Sequence, residues 1–190
     1  MFHVRRLNIK DGALSGDLAI LSVDHGTAAS VAATGQGYAF VLERPDLRKS
    51  NFKKRRYIYG AGQEFVFTTP SGAVIARATH RLRQNSDNPE LPLSFGIAGL
   101  DSGGAIVVWG RWKGRDKRTW AAALAADRKL LWKRKLSKVS PGLGPSVTGF
   151  NAGYHGIAGT GNHALVSGAT WYGTNDLSWR HGVWIMRLDP

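Results

Sequence analysis

The sequence predicts an all-β chain: a propeller-like repeat of four-stranded antiparallel blades, about three of them, either incomplete or completed by association of copies. Three observations carry this. The tetrapeptide Gly-Ile-Ala-Gly stands at 96–99 and again at 156–159, sixty residues apart, in "FGIAGLDSGGAIVVWGRW" and "HGIAGTGNHALVSGATWY". Three segments then align, "TGQGYAFVL" from Thr34, "LDSGGAIVV" from Leu100 and "TGNHALV" from Thr160, each a polar or Gly turn before an apolar, β-rich run. A second apolar strand follows each run, "EFVFTTP" from Glu64, "TWAAALAA" from Thr119 and "GVWIMRLD" from Gly182, with Phe65, Trp120 and Trp184 at matching places.

Taken in order, residues 1–20 read as a partial blade, two strands turning at Lys10-Asp11-Gly12. Residues 28–82 read as a whole blade, beginning with "AASVAAT" and ending in a strand, turn, strand unit bent at Pro70-Ser71-Gly72. Residues 93–138 repeat this, with "SFGIAGL" first and the last bend at Asp127-Arg128-Lys129. Residues 150–190 begin with "YHGIAGT" and supply three strands, so the whole is one domain of thirteen strands. Short antiparallel strands in fours, with recurring Gly and aromatic residues, are the pattern of propeller blades. A β-sandwich would also give short strands at this spacing, but it leaves the repeated tetrapeptide unexplained. A closed ring of four such blades needs sixteen strands, so an open wedge would expose apolar faces and bare edges, which associate. The chain is therefore expected to be a fragment of a larger propeller or one copy of a homo-oligomer.

Asp101, Gly103, Gly104, Gly110, Trp120, Leu124, Asp127 and Trp132 follow one another as Asp-x-Gly-Gly, apolar strand, Gly, Trp-x-x-x-Leu, Asp-turn and a Trp-bearing strand. This run resembles a bacterial β-propeller repeat family, distantly similar to quinoprotein-like propellers, and Trp184, Leu188 and Asp189 carry the pattern again. The first repeat keeps Gly37 and Phe65 but lacks the Trp and the Asp. The resemblance implies blade architecture and says almost nothing of function, because such propellers bind unrelated partners.

At 190 residues the chain suffices for a single core. With no cysteine it forms no disulfide and no thiolate zinc site. No window approaches the roughly 20 apolar residues of a helical membrane span, and the opening "MFHVRRLNIKDG" has no signal-peptide apolar stretch, so the chain as written is expected to remain cytoplasmic.

The formal net charge of +13, with a pI near 10.5, favours acidic partners. Of 26 Lys and Arg residues, 18 lie in 44–56, 111–118 and 128–138. The first two segments read as the loop from the second to the third strand of their repeats, and in a propeller such loops share a face. The expected ligand-binding residues are Arg48, Lys49, Lys53, Lys54, Arg55, Arg56, Lys113, Arg115, Lys117 and Arg118, with Trp112 and Trp171 as stacking platforms. Singly, each basic residue is a solvated surface charge. Together they form a face suited to a polyanion, a nucleic acid or an anionic polysaccharide.

Nothing in the sequence marks catalysis. Histidines 3, 25, 80, 155, 163 and 181 form no metal motif, and no Gly-x-Ser-x-Gly elbow occurs. The Gly-rich "GTGNH" and "GLGPSVTG" precede no helix, and Asp24-His25 reads as a loop or turn before it reads as a base. No catalytic residue, cofactor or metal is assigned. The sequence therefore predicts a non-catalytic binding or scaffold module. The alternatives are a purely structural assembly module and a fragment of a larger propeller enzyme, of hydrolase or quinone-dependent dehydrogenase type.

Overall fold

In a computed structural model the chain is all-β, with no helix among the described residues, which are 2–7, 10–21, 28–46, 48–51, 53–54, 57–59, 62–82, 93, 95–113, 116–136, 148–173 and 179–190. Its strands form four antiparallel sheets, each taken up in chain order. Sheet 1 is the hairpin β1 (Phe2–Leu7) and β2 (Leu14–Leu21). Sheet 2 holds β3 (Ala28–Thr34), β4 (Gly37–Glu43), β5 (Gln63–Thr68) and β6 (Val74–His80). Sheet 3 holds β7 (Phe95–Gly99), β8 (Ala105–Lys113), β9 (Asp116–Leu124) and β10 (Leu130–Lys135). Sheet 4 has three strands, β11 (Thr148–Thr160), β12 (His163–Gly173) and β13 (Trp179–Leu188). No sheet is closed on itself.

Sheets 2, 3 and 4 stack face to face, and sheet 3 is buried on both sides. Side chains alternate along a strand, so β8 sends Ala105, Val107 and Trp109 into a core with Ala39, Val41, Phe65 and Phe67 of sheet 2. Its intervening Ile106 and Val108 enter a second core with Ala164, Val166 and Leu188 of sheet 4. The same alternation divides β9, whose Ala122 and Leu124 face sheet 2 while Ala121 and Ala123 face sheet 4. An uninterrupted apolar run such as "AIVVW" is what a strand buried on both faces requires.

The first strands of the three stacked sheets touch, β3 against β7 and β7 against β11. Gly99 and Gly159 permit this. A Cβ on Gly99 would overlap the Ala33 carbonyl of β3, and a Cβ on Gly159 would overlap the Gly99 carbonyl of β7. The two copies of Gly-Ile-Ala-Gly thus end in the same environment, one sheet apart.

Three connections share one turn. In 69–73, 100–104 and 125–129 the first residue donates its N–H to the fifth residue's carbonyl, and the fourth donates back to the first, at 2.9 to 3.0 Å. The fourth residue is left-handed in each: Gly72 (φ 88°), Gly103 (φ 86°) and Arg128 (φ 72°). That is the three-residue hairpin loop with a left-handed closing residue. Arg128 occupies a position that favours glycine, and its side chain reaches sheet 2, its guanidinium 5.1 Å from the centre of the Phe67 ring. The Arg128 carbonyl lies 2.9 Å from His80 Nε2 at the end of β6. Lys133 of β10 donates to the Arg81 carbonyl at 2.9 Å, so the outer margins of sheets 2 and 3 are tied at two points.

Two expectations are corrected. Residues 111–118 do not form a loop: Arg111 pairs with Arg118, Trp112 with Lys117 and Lys113 with Asp116 across β8 and β9. Phe65 also does not match Trp120 and Trp184. Trp120 packs toward sheet 2 and Trp184 toward sheet 3, each facing its preceding sheet, whereas Phe65 faces the following one. The cause is one residue of turn length: Ala33 pairs with Tyr38, four residues between them, but Gly99 pairs with Ala105, with five. A one-residue offset moves every side chain to the other face.

Candidate polyanion-binding end

The turns 34–37, 100–104 and 160–163 gather at one end of the stack. Gly35 donates its N–H to the Leu100 carbonyl (3.1 Å), Asp101 donates to the Gly161 carbonyl (2.9 Å), and the Ser102 N–H donates to Asn162 Oδ1 (2.8 Å). The second strands β4, β8 and β12 run away from these turns. Their far ends, with the starts of β5, β9 and β13, therefore share the opposite end of the stack, and the basic segments 44–56 and 111–118 belong there. The third basic segment does not. Arg128 and Lys129 sit in the β9–β10 turn, at the other end, and Lys133 and Arg134 lie on the edge strand β10.

The segment from Glu43 to Gln63 is organised by short polar side chains. Asp46 Oδ1 accepts the Arg48 N–H (3.0 Å), and the Asp46 carbonyl accepts the N–H groups of Lys49 (3.1 Å) and Ser50 (2.9 Å). The Asp46 N–H in turn reaches the Ile58 carbonyl (2.6 Å), and Ser50 Oγ accepts the Ile58 N–H (2.8 Å). Asn51 Oδ1 accepts from the Lys54 N–H (3.1 Å), and Pro45 bridges Tyr59. Polar side chains that bond their own backbone a few residues on fix such turns. The bend turns its cations outward: Arg48, Lys49, Lys53 and Lys54 are all exposed.

The charges are not equivalent. Arg44 Nε lies 3.0 Å from Glu64 Oε2, and Arg77 pairs with the other oxygen of that carboxylate, so Arg44 is engaged within the sheet. Lys49 Nζ stands 3.6 Å from Asp46 Oδ2 with its side chain 71% exposed, a contact worth little. Arg48, Lys53 and Lys54 make no ion pair among the described residues. Arg55, Arg56 and Arg115 lie outside the described residues, as do the side chains of Trp112, Lys113, Lys117, Arg118 and Trp171. The backbones of these last five are in β8, β9 and β12, where Trp171 pairs with both Asn151 and His181. Asp24 and His25 also lie outside the described residues.

A buried polar cluster beneath this end has no counterpart in the sequence reading. Glu43 and Gln63 are fully buried where β4 ends and β5 begins. Glu43 Oε1 accepts from Gln63 Nε2 (2.8 Å), and Oε2 accepts the Leu93 N–H (2.6 Å) just before β7. Gln63 Oε1 accepts the Leu82 N–H (2.8 Å) just after β6. One carboxylate and one amide thereby fasten both ends of the connection from sheet 2 to sheet 3. A Glu closing an apolar strand reads from sequence as the first solvated residue of a loop, so no local signal marks it.

Among the described residues no group of three His, Asp or Glu side chains could hold a metal ion, and no helix is long and apolar enough to cross a membrane. In comparisons with known proteins, no family model and no curated protein matches this chain.

Proposed function

We propose that the chain is a non-catalytic binding module whose stacked sheets are propeller-like blades, with a basic end that takes a polyanion by its phosphate or sulfate groups. The single observation that carries this is the outward bend at 46–54, in which Arg48, Lys53 and Lys54 are exposed with no acid paired to them among the described residues. A cation already matched to a carboxylate must give up that contact to bind an anion. These three need not. The second basic segment, 111–118, belongs to the same end through β8 and β9, and with it the surface spans two sheets. The propeller-like reading is supported by first strands that meet through glycine and by turns that gather at one end. The fourth strands lie outermost, as in blades set around an axis.

The test is retention on heparin and binding to a fluorescent single-stranded oligonucleotide, each at low and at physiological salt. Binding to the oligonucleotide with a log-log salt slope of about −0.7 per phosphate contacted supports a nucleic-acid ligand. Retention on heparin alone assigns a sulfated glycan. Lys53→Glu/Lys54→Glu weakens either by tenfold or more, and salt-independent affinity or an unaffected double variant refutes the reading.

A further inference from the structure

The stack has two outer faces, and they differ. On sheet 2, the centre of the face turned away from sheet 3 is covered: Phe40, Leu42 and Val66 alternate with the core residues Val41 and Phe65 and are fully buried, while Val31 of β3, opposite Phe40, is 43% exposed. On sheet 4, the face turned away from sheet 3 is open. Along β13, Trp184, Met186 and Leu188 pack inward, while Val183 and Ile185 point outward and are 85% and 73% exposed. Leu165 of β12 joins them at 43%. Large β-branched side chains at that exposure are the largest apolar exposures in the described chain, and they sit together on one sheet.

The same face one sheet earlier is an interface. Gly99 pairs with Ala105 and Gly159 with Ala164, so the registers of sheets 3 and 4 align position by position. Leu165 then corresponds to Ile106, and Ile185, opposite Ser167, corresponds to Ala121, opposite Val108. Ile106, Val108 and Ala121 are the residues by which sheet 3 receives sheet 4. The open face therefore continues a surface that already binds a sheet of this repeat.

We infer that this face associates with the same face of a second copy of the chain, sheet 4 against sheet 4 across a two-fold axis. The inference deepens the module reading above in that it rests on the sheet stack, and it is independent of the basic end. A head-to-tail arrangement would need an open receiving face on sheet 2, and Phe40, Leu42 and Val66 at the centre of that face are buried. Three strands about 4.8 Å apart and about ten residues long cover on the order of 450 Å² per copy. Some 900 Å² in total is below the roughly 1,200 Å² of stable specific interfaces, so association is weak and reversible. Charge opposes it at long range, since each copy carries +13. On the face itself Arg187 is matched by Asp189 at 3.0 Å. Salt screens the repulsion and leaves the apolar contact, so association strengthens with salt, the reverse of polyanion binding.

Sedimentation velocity of the full chain over about 1 to 200 µM tests this in the concentration range such a small interface implies. The weight-average mass rises from 20.6 kDa toward twice that value, more steeply at high salt. Ile185→Lys abolishes the rise, and Val183→Thr/Ile185→Thr, which keeps the β-branched shape and the charge, weakens it at least tenfold. Leu131→Lys, on the exposed side of β10, leaves it unchanged. A mass constant at 20.6 kDa through the range at high salt overturns the inference, and so does association that both sheet 4 variants retain. The Thr double variant keeps its heparin retention, and Lys53→Glu/Lys54→Glu keeps its mass increase, so the two readings fail separately.

Discussion

Gly159 lies against the carbonyl of Gly99 just as Gly99 lies against the carbonyl of Ala33, so the innermost strands of three successive sheets meet backbone to backbone. The absence of a side chain at two positions sets the distance between sheets, and through it the depth to which Val107, Val108 and Val166 interdigitate.

Substituting either glycine tests that relationship. A methyl group at Gly99 or Gly159 meets a carbonyl of the neighbouring strand, a backbone atom that does not yield as the end of a flexible side chain would. Gly99→Ala and Gly159→Ala each destabilise the fold by about 1–3 kcal/mol or more, the range for overpacking a filled interior. The check is the urea midpoint. Gly161→Ala serves as a comparison: nothing lies within 4 Å of its Cβ position, and its cost is only that of a left-handed residue (φ 59°).

Glu43 carries a sharper prediction because its partners among the described residues are fixed. Gln63 cannot turn its amide to suit a changed neighbour, since its Oε1 is held by the Leu82 N–H. Glu43→Gln therefore sets an amide N–H against either Gln63 Nε2 or the Leu93 N–H, leaving a buried donor facing a donor. The expected loss is about 1–3 kcal/mol. Amide exchange at Leu93 accelerates with it, and an unchanged urea midpoint contradicts the role given to this cluster.

Arg128 holds a left-handed turn position taken by glycine in the two sister turns, yet it also spans to Phe67. Arg128→Gly relaxes the backbone and loses the ring contact, so its net effect on stability falls within about 1 kcal/mol of zero. Arg128→Ala keeps the strain and loses the contact, and it is the more destabilising of the two by the thermal midpoint. The reverse order would mean that the left-handed backbone at Arg128 (φ 72°) carries no strain for a residue with a side chain.

Beside it, the Lys129 ammonium bonds Asp127 Oδ2 at 2.8 Å, and the Lys129 N–H reaches Oδ1 at 3.2 Å. The side-chain bond first, and the backbone bond after it, hold the Asp127 carboxyl below its ordinary value of 3.8, and the carboxylate raises Lys129 above 10.5. For a depressed carboxyl the stabilisation is full above the unfolded value and disappears as pH falls through the lower folded value. For the raised lysine it is full below 10.5 and disappears as pH climbs through the higher folded value. NMR titration of Asp127 places its midpoint under 3.8 at low salt and nearer 3.8 in Lys129→Met. Both side chains are exposed and screened by solvent, so the pair's contribution to stability is small.

Strands and turns were legible because their causes are local. "AIVVW" is apolar without interruption because β8 is buried on both faces, and "PSG" and "DSG" place a left-handed residue where a three-residue loop closes. The extra residue of the 100–104 turn was not legible, since "TGQGY" and "LDSGG" have equal length and similar chemistry. Only hydrogen-bond register separates them, and register exchanged the faces of Phe65 and Trp120. At the basic end, the clustering of cations was plain, but nothing near Arg44 in sequence assigns it to Glu64, a residue on the neighbouring strand.

By itself the sequence determined the all-β composition of the chain, the recurrence of Gly-Ile-Ala-Gly and the sign of its net charge, because alternation, turn residues and net charge act over a few residues or over the whole. The tertiary structure alone decided which face of each strand meets which sheet, which cations are already neutralised, and which outer face of the stack is left bare. Those depend on contacts between residues far apart in the chain, and such contacts exist only once the sheets have stacked.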